Sequence, residues 1–497
     1  MVLHNAQPPL PSRADVAIIG SGFSGLCVAI RMKLAGLHDF VMLEQATQIG
    51  GTWRDNDYPG AACDIPSNLY SFSFEPNPHW TRIYPQQPEL QAYANHCADK
   101  YGLRPHLHCN AGVTAACFDA TLQLWRVTIN DGLELLARVL VSATGGLSRP
   151  AIPEIEGLNE FAGPVFHSAR WRHDVDLAGK RIAVIGTGAS AIQFVPRIAP
   201  RASKLMLFQR TAPWVIPKPD RALSESERQR LGRYPAWQRL QRALIYLRQE
   251  YRAVFFTRWP KVLASLQPQL LRHMRRRVPD PLLREKLTPH YVMGCKRILL
   301  SNDFYETLMQ PRVSLVTEGI KRVSTQGVHT RDGVLHEADV VILGTGFQTG
   351  DVGAPFPLFG LAGVELNAAW APGPNAYLGS TVAGFPNLFL MTGPNTGLGH
   401  NSMIYMIESQ ARYVLDALLT MRRRKLQAVD VRADAQREFN VSLQARMRRT
   451  VWATGGCRSW YLSRDGSNRT LWPGFTFTFR WRTRSFDIAR YASWPAR

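Results

Sequence analysis

The chain has 497 residues, 45% hydrophobic and 20% charged, too long for one ordinary core and typical of a soluble protein of two or three domains. It has no uninterrupted apolar run of about 18 residues, the length a spanning helix needs, so a transmembrane protein is not expected. Its formal net charge of +21 is concentrated between Arg221 and Arg297, where 18 Lys or Arg face 5 acidic residues. No module there interleaves the charge with stacking aromatics, so nucleic-acid binding is not expected; the stretch reads as a solvated basic face that helps attract an anionic cofactor, and membrane contact is not expected.

In chain order, the opening MVLHNAQPPLPSRAD lacks the apolar core of a secretory signal and reads as a short, mostly disordered leader to a cytoplasmic protein. Residues 15–20, DVAIIG, have a strand pattern; the turn SGFSG and the helical LCVAIRMKLAG follow, and FVMLE at 40–44 closes a βαβ unit. The same order recurs from 180 to 210 in KRIAVIG, TGASA, IQFVPRIAP and KLMLFQR, an internal duplication of the nucleotide-binding unit. From 221 to 290 an Arg-, Leu- and Gln-rich stretch with helical spacing predicts a helical insertion. Strand patterns return at 313–317 and 339–346. PNLFLMTG at 386–393 then leads through GPNTGLGHN into a long predicted helix, SMIYMIESQARYVLDALLTMRRRK.

The expected fold is therefore α/β, with two Rossmann-like dinucleotide-binding domains and a helical insertion. Seven cysteines (Cys27, Cys63, Cys97, Cys109, Cys117, Cys295 and Cys457) are odd in number, widely spaced and contain no CxxC pair. Reduced thiols are expected rather than disulfides or a zinc site, and no metal site is foreseen. The absent cysteine pair also argues against the flavin disulfide reductases.

Gly20-Ser-Gly22-Phe23-Ser-Gly25 follows a strand and opens a helix, and Glu44 ends the next strand. The first glycine permits a tight turn, the second lets a pyrophosphate approach the backbone, and the third lets helix pack on strand; Glu44 accepts from ribose hydroxyls, which suits FAD. Gly186-Thr187-Gly188-Ala189-Ser190-Ala191 is the second loop. Where the first unit has Glu44, this one has Arg210 and Thr211, and an Arg there pairs with a 2′-phosphate, so NADPH is expected. Opposite ribose chemistry implies hydride transfer from NADPH to FAD.

Three further segments narrow the chemistry. They are GGTWRDNDYPGAACD at 50–64, FAGPVFHSARW at 161–171 and GCKR at 294–297. At these residues, and from about 14 to 490, the chain resembles the Baeyer–Villiger monooxygenases, matching their GGxWxxxxYPGxxxD and FxGxxxHxxxW patterns. It departs in one place: the family usually has Pro or Asp after the fingerprint tryptophan, Trp171, and this chain has Arg172.

The resemblance implies insertion of one O2 oxygen beside a ketone carbonyl through a C4a-peroxyflavin, giving an ester or lactone. Arg297 would keep that peroxide anionic, with Asp64 as its partner. Lys296 would join Arg210 and Thr211 at the 2′-phosphate. Thr52, Trp53, Asp55, Asp64 and Tyr70 would line the flavin, and Trp460 would approach the nicotinamide ribose. His167 reads as structural, in a linker whose motion accompanies a domain rotation hinged near 145–155 and 380–386. The domains are expected at 1–145 (FAD), 146–220 and 291–384 (NADPH), 221–290 (insertion) and 385–497 (FAD again). The expected partners are a small-molecule ketone and O2. Two other functions stay open: oxidation of N or S atoms or alkane hydroxylation, and a non-catalytic flavoprotein that senses redox state or docks on a membrane through 221–297.

Overall fold

The computed structural model describes residues 9–130, 132–348, 354–463 and 465–496; most of the leader, at 1–8, lies outside them. The duplicated pattern folds into two parallel-stranded sheets. In the first, Arg13–Ile19 stands between Phe40–Leu43 and Leu133–Ser142, both parallel to it, and Leu107–His108 lies beyond Phe40–Leu43. An antiparallel meander, Val113–Asp119 and Leu124–Ile129, pairs with the first half of Leu133–Ser142, and Leu388–Leu390 pairs with its second half. DVAIIG does not alternate because both its faces are covered. Val16 and Ile18 pack into the core under the helices, while Ala17 and Ile19 pack against the meander with Phe118 and Trp125. Phe23–Leu34 is the crossover helix, and the long predicted helix, found at Met403–Arg423, lies against it.

The second sheet runs Val313–Val316, Lys204–Phe208, Arg181–Ile185, Val340–Leu343 and Val165–His167, all parallel. The insertion is helical as expected. Its two longest helices are Pro235–Tyr251 and Pro260–Arg277. Val215–Ile216 pairs with Leu299–Leu300, bringing the two ends of the insertion together.

The chain returns to the first sheet earlier than the boundary read at 384. Leu358–Phe359 pairs with Val113–Asp119, and Ala354, Phe356, Leu366 and Val382 join the core beneath that sheet. The apolar residues that direct this return precede the strand pattern at 386–393, which alone caught the sequence reading. The segment 380–386 is accordingly packed inside the first unit: the Leu390 N–H donates to the Ser380 carbonyl, and the Trp125 indole to that of Pro386.

Candidate active site

At the first loop, φ of Gly20 is +99°, and a Cβ there would lie 2.7 Å from the Ala143 carbonyl oxygen; one on Gly25 would lie 2.0 Å from that of Gly20. Neither position accepts a side chain. The helix that follows has no side-chain cap and no acid in its first turn, so its first N–H groups are left for an anion. Buried Glu44 accepts from the Ser21 N–H at 3.0 Å, the Ser21 hydroxyl at 2.7 Å and the Ala46 N–H at 2.9 Å, and pairs with Arg54 at 2.9 Å. Asp55 takes the other side of Arg54 at 2.8 Å. The Trp53 indole donates to the Tyr70 hydroxyl at 3.1 Å, and Thr52 opens the short helix that carries Trp53 and Asp55. The Phe23 ring is buried against Tyr70, Phe72 and Tyr93, so only its backbone faces the loop's mouth.

The second loop repeats the design. Gly186 has φ of +110°, and a Cβ on it would meet the Gly344 carbonyl oxygen at 2.4 Å. The helix Ala191–Ile198, with Ser190 at its N-cap, again has no side-chain cap and no acid in its first turn. Thr187 donates to the Thr211 carbonyl at 3.4 Å, and Ala189, Arg210 and Thr211 are exposed. Burial lowers the pKa of Lys296, and the like charge of Arg210 lowers it further. Two cations thus face one space, and among the described residues neither has a carboxylate partner. That arrangement suits a phosphate.

The segment at 50–64 joins the two units. The Tyr58 hydroxyl donates to Gln193 Oε1 at 2.9 Å, and Gln193 Nε2 donates to the Ala62 carbonyl at 2.9 Å. Gly60 has φ of +84°, and a Cβ on it would come within 2.8 Å of the Gln193 carbonyl oxygen, so the YPG glycine permits this approach. Asp64 follows directly and meets Arg297, whose Nε donates to Asp64 Oδ2 at 2.7 Å and whose Nη1 reaches the Leu398 carbonyl at 3.4 Å. Gly294 positions the arginine: its φ is +92° and a Cβ would lie 2.9 Å from the Phe256 ring of the insertion. The ion pair sits deep in the protein, yet the two side chains keep 34% and 31% of their surface accessible, which therefore opens into an interior cleft. The Asp64 carboxylate raises the already high pKa of Arg297, so the guanidinium stays charged.

Trp460 is half-exposed, its ring 4.5 Å from that of Tyr461. Tyr461 is the residue that sequence reasoning missed. It is buried and lies beside Arg297 and Asp64: burial raises the pKa of its hydroxyl, the Arg297 guanidinium lowers it by its charge and by a side-chain hydrogen bond, and the Asp64 charge raises it. The signal was the second aromatic of SWYL. His167 Nδ1 accepts from the Ala169 N–H at 3.1 Å, and Trp171 packs 5.3 Å from both Phe166 and Phe194.

One expectation is corrected. Cys295 and Cys457 form a disulfide, with Cα atoms 6.1 Å apart; the other five cysteines are free. The partners are 162 residues apart in sequence, and only folding brings GCKR against CRSWYL. Gly455 allows the approach, since a Cβ there would lie 2.6 Å from that of Cys295.

Two uncapped helix N-termini behind glycine turns, one ending at a carboxylate and the other at paired cations, define a two-dinucleotide flavoenzyme of the α/β class. A family model described as flavin-binding monooxygenase-like matches residues 13–222. A Baeyer–Villiger monooxygenase of Pseudomonas aeruginosa is 50% identical over 490 residues, covering 97% of this chain and 92% of that protein. One of Streptomyces coelicolor is 49% identical over 482 residues, covering 96% and 92%. Among solved structures, an oxidised steroid monooxygenase bound to NADP superposes with a TM-score of 0.87 at 30% identity, covering 97% of this chain and all of that one. A cyclohexanone monooxygenase from Rhodococcus bound to NADP+ gives 0.87 at 27% identity, covering 98% and 100%. The chain belongs to the Baeyer–Villiger monooxygenase family.

Proposed function

We propose that the enzyme uses NADPH, FAD and O2 to insert one oxygen atom beside the carbonyl of a small-molecule ketone, giving an ester or lactone. The observation that carries this reading is the Arg297–Asp64 pair, which opens into the cleft while the loop bearing Asp64 also grips the second unit through Gln193. FAD would be held by Gly20, Gly22, the Phe23 backbone, Gly25, Glu44, Thr52, Trp53, Asp55 and Tyr70. NADPH would be held by Gly186, Thr187, Gly188, Ala189, Ser190, Arg210, Thr211 and Lys296, with Trp460 beside its ribose. When bound and reduced by NADPH, the flavin supplies the electrons that activate O2. Arg297 holds a fixed positive charge where negative charge develops on oxygen, and so disfavours protonation of that oxygen. Asp64 orients the guanidinium.

In this reading residues 9–145 and 354–496 form the FAD unit, and 146–348 the NADPH unit with its insertion; the site of action is cytoplasmic, where NADPH is supplied. The test is NADPH consumption with product analysis across linear, cyclic and aryl ketones, for the wild type and Arg297→Ala. Esters or lactones are expected from the wild type, and the variant should keep NADPH-driven flavin reduction while losing oxygenation. Oxidation of sulfides or amines with no ketone converted would overturn the substrate class. Undiminished oxygenation in the variant would overturn the role of Arg297.

A further inference from the structure

A surface helix of a soluble protein turns its apolar side inward. Pro235–Tyr251 inverts much of this. Its fully buried residues, Gln238, Gln249 and Glu250, are polar, while Ile245 and Tyr246 are the half-buried apolar residues that pack inward. Gln238 donates to the Asn77 carbonyl at 2.8 Å and Arg242 to that of Asn68 at 2.8 Å. Glu250, also buried, accepts from Asn401 at 2.6 Å and from the Thr476 hydroxyl at 2.8 Å. Its outer side carries Trp237, Leu240, Leu244, Leu247 and Tyr251, which are 39–62% exposed. At about 100° per residue these five fall within an arc of about 80° along about 21 Å of helix. Arg248 borders the arc on one side; Arg239 stands on the other, beyond Ala236 and Ala243, and all four are exposed. Glu250 also ties down the neighbouring helix Thr476–Arg482, which exposes Phe477 and Trp481, one turn apart.

We propose that this face docks on an anionic phospholipid surface. Leucines with Trp and Tyr between arginines form the outer side of a helix that lies in the membrane interface, the rings at headgroup depth and the guanidinium groups at the phosphates. Charge selects lipid over a second copy of the chain. Between 235 and 277 the buried Glu250 is the only acid, against ten Lys or Arg, so two such faces would set arginine against arginine with no carboxylate between them. The charge count alone, from which the stretch reads as a solvated face, does not show which side of the helix the leucines take. Nor does docking require spanning: among the described residues no helix is long and apolar enough to cross a membrane.

The test is co-sedimentation of the holoenzyme with vesicles of phosphatidylcholine alone and of phosphatidylcholine mixed with phosphatidylglycerol, at low and high salt. The mixed vesicles should bind at least ~10-fold more protein, and salt should weaken the binding. Leu244→Glu/Leu247→Glu should lose at least ~10-fold of it while eluting as the wild type does and keeping its circular dichroism. Arg239→Glu/Arg248→Glu keeps the apolar arc and should lose the preference for anionic lipid. A wild type left in the supernatant, or variants that bind as it does, overturns the proposal. So does a dimer that the leucine substitutions dissociate, since the occupant would then be a second copy.

Discussion

Burial pushes the imidazole of His167 down to about 4. An unfolded chain takes up that proton near pH 6.5, whereas the folded one refuses it until about pH 4, so His167 subtracts stability as pH falls through this window and nothing above it, at about 1.4 kcal/mol per pH unit. His167→Gln keeps an acceptor for the Ala169 N–H and does not titrate. Urea unfolding should show the variant less stable at pH 7, then gaining on the wild type by about 3 kcal/mol down to pH 4. A difference that stays flat with pH would refute this account. At this scale, what the sequence discloses depends on how local the chemistry is. Glu44 and Arg210 are legible because strand ends fix where they stand relative to their loops. Tyr461 is not, because only the folded chain sets it beside Arg297.

Among elements, the turn glycines are the most legible, since each answers a backbone demand within its own motif. The disulfide and the inverted helix are the least. Cys295–Cys457 clamps the segment carrying Lys296 and Arg297 to the one carrying Trp460 and Tyr461. Closing so long a loop contributes on the order of 2–5 kcal/mol. Cys457→Ser should lower the thermal midpoint, and peptide mapping without reductant should recover Cys295 joined to Cys457. Seven reactive thiols in the denatured, unreduced protein would sink the pairing. The inverted helix escapes notice for a different reason: a 3.6-residue period marks an apolar stripe but does not say whether it faces core or solvent.

For the whole molecule, the duplicated unit makes the two sheets plain, but the first sheet is completed from distant sequence. Leu388–Leu390 pairs with Leu133–Ser142, and Met403–Arg423 covers Phe23–Leu34. A fragment of residues 13–222, the extent of the flavin-binding match, lacks both pieces. It should show no cooperative melt and bind no FAD; a sharp transition in calorimetry would contradict the dependence.

That discontinuity also sets an order of birth on the ribosome. The strands of the second sheet all lie between Val165 and Leu343, so that unit is complete while the first still lacks Leu388–Leu390. Roughly 250 residues separate the partners of the late pairing, a delay on the order of tens of seconds during synthesis. Through that interval Leu140 and Val141 are paired only on the edge facing Ala17 and Ile18, and their other edge waits for Leu388–Leu390. The unit whose synthesis begins first is the unit whose sheet is completed last.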